Sequence, residues 1–88
     1  MVTNNRKDNR FELEVDGETA LAAYRQHEGT ISFTHTEVPV ALEGRGVGSR
    51  LIKGALDQAR ADGLKVEPLC SFVRHYMETH PEEQDLLA

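Results

Sequence analysis

The residues whose types and spacing most directly suggest chemistry are Gly44, Gly46 and Gly48, interleaved with Arg45, Val47 and Ser49 and followed by Arg50. Glycine at alternate positions removes the side chains that would keep a ligand off the backbone. An amphipathic pattern begins at once after them, so the run opens a helix whose first N–H groups have no carbonyl partner of their own. Such a helix start favours an anion by roughly 0.3–1 kcal/mol at an exposed site, before direct hydrogen bonds are counted. Arg45 and Arg50 add charge-assisted donors. Phosphate binding is one reading, and a flexible turn that holds three glycines is the other. No Gly-Lys-Ser/Thr follows, as in a nucleoside-triphosphate loop. The preceding strand opens no parallel β-α-β unit of the dinucleotide-binding kind.

Cys70 is the one cysteine. It falls between a short strand and a helix, where the positive helix end favours thiolate. The other reading is a small buried apolar residue. His35 and Glu37 alternate along a strand and can accept a proton from an attacking ammonium. Against this stand a partly buried, hydrogen-bonded histidine for His35 and a solvated strand residue for Glu37. His75 and His80 lack further ligands at metal-binding spacing, so no metal site is expected.

The elements that position these residues can be read from periodicity. Met1 to Asn9 has no apolar period and is expected as a flexible tail. Phe11, Leu13 and Val15 alternate with Glu12 and Glu14, a strand with one buried face. Asp16-Gly17 signals a tight hairpin, because both central residues need positive φ. Ala20, Ala22 and Tyr24 alternate against Leu21, Ala23 and Arg25, a second strand expected to be buried on both faces. After a turn at His27-Glu28-Gly29, Thr30 to Val38 reads as a third strand, with Ile31 and Phe33 on one face together with His35 and Glu37. Pro39 cannot donate to a ladder, so pairing should fail there and leave amides free.

Beyond the glycines, Val47, Leu51, Ile52, Ala55, Leu56 and Ala59 form a helical stripe, opposite Arg50, Lys53, Asp57 and Arg60. Gly63 closes that helix. Val66 to Leu69 is a short strand, and a second helix runs from Cys70-Ser71 to about His80, stopped by Pro81. The expected fold is α/β, a mostly antiparallel sheet of about four strands with two helices, in the order β-β-β-α-β-α. One domain spans residues 10–81, and residues 82–88 are expected as an acidic tail.

Composition narrows the partners. Eighty-eight residues make one domain, and a chain of that size buries only about 60–65% of its unfolded surface. A net charge of −5 argues against a nucleic-acid backbone as partner, leaving only a local basic patch at Arg45, Arg50 and Lys53. A lone cysteine and the lack of a long apolar run point to a cytoplasmic protein, with no signal peptide and no membrane partner.

Glu43-Gly44-Arg45-Gly46-Val47-Gly48-Ser49-Arg50-Leu51 resembles the acyl-CoA loop of the GNAT superfamily, Gln/Arg-x-x-Gly-x-Gly/Ala. Gly46 and Gly48 match, while Glu43 stands where Gln or Arg is usual, removing one phosphate donor and adding repulsion. His35-Thr36-Glu37-Val38-Pro39 and Pro68-Leu69-Cys70-Ser71-Phe72-Val73 resemble the corresponding blocks of small GNAT-like proteins of about a hundred residues, which keep the CoA-binding half of the fold. The similarity runs from about Phe11 to Pro81.

The resemblance implies acetyl transfer from acetyl-CoA to a primary amine. It puts the thioester beside Glu37 to Val40, with the amide of Val38 or Val40 on the acyl carbonyl. It puts the pyrophosphate on the amides of Arg45, Gly46, Val47, Gly48, Ser49 and Arg50. It further implies a nucleophilic role for Cys70, although most GNAT enzymes transfer the acyl group directly. Tyr76 would be the general acid toward the leaving thiolate, although Met77, which has no proton to give, fits that position equally well if the register shifts by one; a core aromatic is the other reading of Tyr76. The acceptor side is short, which suits a large amine substrate such as a protein lysine or N-terminus. A monomer or weak homodimer is expected. A non-catalytic acyl-CoA-binding module and a small interaction protein on the same fold remain the alternatives.

Overall fold

The computed structural model describes all 88 residues. Its elements run β1 (Thr3–Asn5), β2 (Arg10–Val15), β3 (Glu18–His27), β4 (Thr30–Glu37), α1 (Val47–Ala61), β5 (Lys65–Pro68) and α2 (Ser71–Glu78), with 3-10 turns at Val40–Leu42 and Pro81–Leu86. The chain is α/β as expected, but the sheet has five strands, not about four, in the order β1-β2-β3-β4-β5. It is also mixed: β1 to β4 pair antiparallel, and β5 lies parallel to β4. That pairing needs a crossover, which α1 supplies, so β4-α1-β5 is a parallel β-α-β unit after all, contrary to the reading of the sequence.

Hairpins form where the turn chemistry asks for them. Asp16 and Gly17, at φ of 53° and 77°, join Val15 to its partner Glu18. Glu28-Gly29 does the same between His27 and Thr30. Positive φ at two successive positions matches the twist of the flanking strands. The sheet buries one face, with Phe11, Leu13, Ala20, Ala22, Tyr24, Ile31, Phe33 and Val66 in the core. The expected stripe of α1, Val47 to Ala59, packs on that face, and Arg50, Lys53, Asp57 and Arg60 stay exposed. Gly63 N–H to Arg60 C=O (3.1 Å) and Leu64 N–H to Ala59 C=O (2.9 Å) close the helix. The other sheet face carries no helix. Leu21 and Ala23 are therefore only half-buried, and β3 is not buried on both faces as its alternation suggested.

β4 breaks the strict alternation. Ala23 pairs with His35, yet Tyr24 pairs with Phe33, so Thr34 is an extra residue without a partner. This β-bulge reverses the facing of everything after it. Ile31 and Phe33 point into the core. Thr36, opposite the buried Ala22, is on the core side too. His35 and Glu37 share a face as expected, but it is the open one, not that of Ile31 and Phe33.

Both termini are docked, which corrects the expected tails. β1 pairs with β2, Tyr24 Oη donates to Asn4 Oδ1 at 2.6 Å, and Gln58 Nε2 donates to the Val2 carbonyl at 2.8 Å. The Val2 side chain occupies the space a Cβ at Gly54 would need, so a glycine inside α1 makes room for the N-terminal strand. At the other end Leu86 is buried, Ala88 N–H bonds the Val66 carbonyl at 2.9 Å, and Arg60 holds the buried Glu83 at 2.7 Å. Polar composition hides both dockings, because each rests on one or two apolar residues and on backbone pairing.

Val2→Ala should therefore cost about 1–2 kcal/mol and Leu86→Ala about 2–4 kcal/mol in chemical denaturation. Loose tails would tolerate both within about 0.5 kcal/mol.

Candidate functional site

β4 and β5 pair from Thr30–Lys65 to Phe33–Pro68 and then part company. Pro68 has no N–H to continue the ladder, and the bulge at Thr34 turns β4 aside at the same level. A last hydrogen bond, Cys70 N–H to Phe33 C=O (2.9 Å), ties the two segments. Past it, residues 34–37 of β4 and Val38 after them have no strand on the β5 side. Loss of pairing thus begins five residues before Pro39, to which the sequence reading assigned it.

The glycine loop enters the same gap from above. Gly46, at φ 73°, is the N-cap of α1, no side chain caps the helix, and its first turn carries no acidic residue. The regular ladder begins with Arg50 N–H on the Gly46 carbonyl (3.1 Å), so the amides of Val47, Gly48 and Ser49 have no i−4 carbonyl within the helix. They open on a cavity of about 310 Å³ lined by Val38, Leu42, Glu43, Gly44, Gly46, Val47, Gly48, Ser49 and Phe72. A Cβ at Gly48 would lie 2.6 Å from the Phe72 ring and 3.3 Å from Val38. Gly48 is therefore needed for the close approach of α1 to α2 at the edge of the cavity.

The expected site residues divide. Val38, Gly46, Val47, Gly48 and Ser49 line the cavity. Val40 is 83% exposed in the 3-10 turn and does not. Arg45 Nη1 is bonded to Asp16 Oδ2 at 2.8 Å, across to the first hairpin turn, and Lys53 pairs with Asp57 at 3.0 Å. Of the three cations expected as a patch, Arg50 alone has no carboxylate partner. Gly44 lines the cavity too, as its place in the loop suggested, while Leu42 and Phe72 line it and were not expected there. The signal for Phe72 was a large aromatic two residues after Cys70, in the first turn of a helix.

Cys70 is the N-cap of α2 and half-buried at the fork of β4 and β5. Its Sγ lies 3.3 Å from Thr36 Oγ1. Burial pushes the thiol up. The Thr36 hydroxyl and the amides of Val73, Phe72 and Thr36 outweigh it and bring the thiol below its ordinary value. Thr36 and Cys70 each stand two residues back from the cavity-lining Val38 and Phe72, along the same two segments.

His35 and Tyr76 are not gathered with them. His35 lies on the open sheet face, its Nε2 2.7 Å from Glu37 Oε2, with 59% of its side chain exposed. Tyr76 belongs to the buried stripe Val73, Tyr76 and Met77 of α2, stacked on His80 at 3.8 Å. Burial first, and then the Glu83 carboxylate, hold the Tyr76 proton more tightly than usual.

The family model for GCN5-related N-acetyl-transferase matches residues 10–86. Protein NATD1 of Xenopus tropicalis is 32% identical over 88 residues, which covers 97% of this chain and 81% of the relative. Human Protein NATD1 is 31% identical, covering 97% and 78%. A solution NMR structure of a Staphylococcus aureus protein described as GCN5-like matches with a TM-score of 0.77 at 30% identity, covering 100% of this chain and 87% of that one. With an uncapped helix start facing a cavity and a thiol at the strand fork behind it, the chain belongs to the GCN5-related N-acetyltransferase family.

Proposed function

We propose that the chain is an acetyl-CoA-dependent N-acetyltransferase in which Cys70 carries the acetyl group to a primary amine. The supporting observation is the pairing of an uncapped α1 start, open on the 310 Å³ cavity, with a lowered thiol at the adjoining strand fork. The pyrophosphate of acetyl-CoA rests on the amides of Val47, Gly48 and Ser49, with Arg50 as nearby cation. Pantetheine passes between Val38 and Phe72. The thioester reaches the unpaired stretch at the end of β4, where the Val38 N–H donates to its carbonyl oxygen.

The Cys70 thiolate attacks the carbonyl carbon, the carbon–sulfur bond to CoA breaks, and CoA leaves as thiolate to be protonated by solvent. A neutral amine then attacks acetyl-Cys70. The amide bond forms, the Cys70 thiolate is regenerated, and the amine proton passes to solvent. Of the residues considered for proton transfer, His35 and Glu37 lie on the open face and Tyr76 in the core, so Cys70 is the reactive side chain at the strand fork. The acceptor fits a protein lysine or N-terminus. The sheet face next to β4 is covered by no helix, which leaves room for a large molecule.

Gly46→Asp should weaken CoA binding in calorimetry by at least about tenfold, near 1.4 kcal/mol. Gly46→Asn, which tolerates the same positive φ without the charge, should keep most of the affinity. Equal affinity in both folded variants and the parent would remove the phosphate from this loop.

Incubation with acetyl-CoA should add one acetyl group to the protein, mapped to Cys70 by peptide mass spectrometry. Cys70→Ala should lose nearly all turnover. A loss in kcat/KM under about tenfold, roughly 1.4 kcal/mol, would instead establish direct transfer.

A further inference from the structure

The Thr36 hydroxyl is the side-chain hydrogen-bond partner of the Cys70 sulfur, and two features bring it there. The bulge at Thr34 moves Thr36 from the face its spacing from Ile31 and Phe33 would give it to the side facing α2. Parting of the strands after Phe33 and Pro68 then leaves the hydroxyl facing Cys70 Sγ at 3.3 Å, from a residue 34 positions away in sequence. Thr36 Oγ1 has no other hydrogen-bond partner, whereas the nearby Thr34 hydroxyl is directed at the Ala23 carbonyl. A neutral thiol can donate to Thr36 or accept from it. A thiolate can only accept, so the hydroxyl has one role once the proton has left.

We propose that Thr36 is a positioning residue for this chemistry: its hydroxyl donates to the Cys70 thiolate and holds the sulfur toward the unpaired stretch of β4. The inference deepens the covalent route, and it rests on that reading for its catalytic meaning but not for its test. No charged side chain does the same work. On β4, His35 and Glu37 bond each other on the opposite face. On β5, Glu67 accepts from Ser32 at 2.8 Å on that face too. On α2, Arg74 and His75 are exposed. The remaining influences on the sulfur are burial and the backbone amides of Val73, Phe72 and Thr36. No substitution deletes those amides without moving the chain, so Thr36 is the donor that evolution or an experimenter can switch.

The test is the pH profile of Cys70 alkylation by iodoacetamide in the full chain without CoA. Thr36→Val keeps the shape and removes the donor, while Thr36→Ser keeps the donor. Thr36→Val should slow alkylation near neutral pH by roughly tenfold, the low end for a hydrogen bond to a charged group, and raise the midpoint by about one pH unit. Above both midpoints its rate should equal or slightly exceed the parent's, because a more basic thiolate is more nucleophilic. Thr36→Ser should restore the parent midpoint. Greater exposure of the sulfur would change the plateau but not the midpoint. An unmoved midpoint in Thr36→Val, or a Thr36→Ser profile that follows valine, overturns the proposal. If valine fails to fold, judged by circular dichroism, Thr36→Ala is read in its place against the same serine control. Absence of acetyl-Cys70 with a shifted midpoint would discard the covalent route alone, and acetyl-Cys70 with an unshifted midpoint would discard Thr36 alone.

Discussion

One unpaired residue, Thr34, governs the geometry of the site. A sheet strand that alternates without interruption would carry Ile31, Phe33, His35 and Glu37 on its core side and Thr36 outside. With Thr34 unpartnered, two residues oppose one on β3, the strand bends, and the facing of Thr36 and His35 is exchanged. The bend coincides with the end of β5 at Pro68, which has no N–H to give. Two neighbouring strands therefore diverge at one level, and the gap between them is where Cys70 and Thr36 meet. A bulge costs ladder hydrogen bonds, and here that loss coincides with the stretch of backbone that β5 leaves unpaired.

The three glycines of the loop serve two purposes. Gly44 and Gly46 adopt positive φ, which lets the chain turn sharply into α1 with no capping side chain over its first amides. Gly48 is buried, and its missing Cβ is what lets the Phe72 ring and Val38 close against the helix. The uncapped helix start and the packing of α2 thus share one short run, so a substitution at Gly48 would disturb both. The Arg45–Asp16 pair adds a third demand on the loop. It anchors the loop to the β2–β3 turn, and any phosphate drawing on Arg45 has to compete with that carboxylate.

A chain of 88 residues has little core to spare, and this one uses its ends to enlarge it. β1 widens the sheet, Val2 seats on Gly54, and the last turn lays Leu86 beneath β5 while Arg60 reaches Glu83. Glu83 is itself buried with one oxygen unpartnered, so its bond to Arg60 is the compensation for taking a carboxylate out of water. All helices lie on one side of the sheet. The other face is left as an open surface next to the bend in β4.

Much of this was legible in the chain. Alternation at Phe11, Leu13 and Val15, the Asp16-Gly17 turn, the stripe from Val47 to Ala59 and the Gly63 stop are local signals. Each depends on neighbours a few residues away, and each formed as read. The glycine loop before a helix, and the family it suggests, were legible for the same reason. What the sequence could not disclose depends on pairing between distant segments. The bulge at Thr34 exists only relative to β3, and the parallel seating of β5 only relative to β4. The packing of Val2 exists only relative to a glycine 52 positions on. A one-residue slip in register reverses every side chain beyond it at no cost in composition. The sequence alone therefore determined which residues were available for chemistry. The tertiary structure decided that Thr36, and not His35, faces Cys70, because facing is a property of strand register and not of residue type.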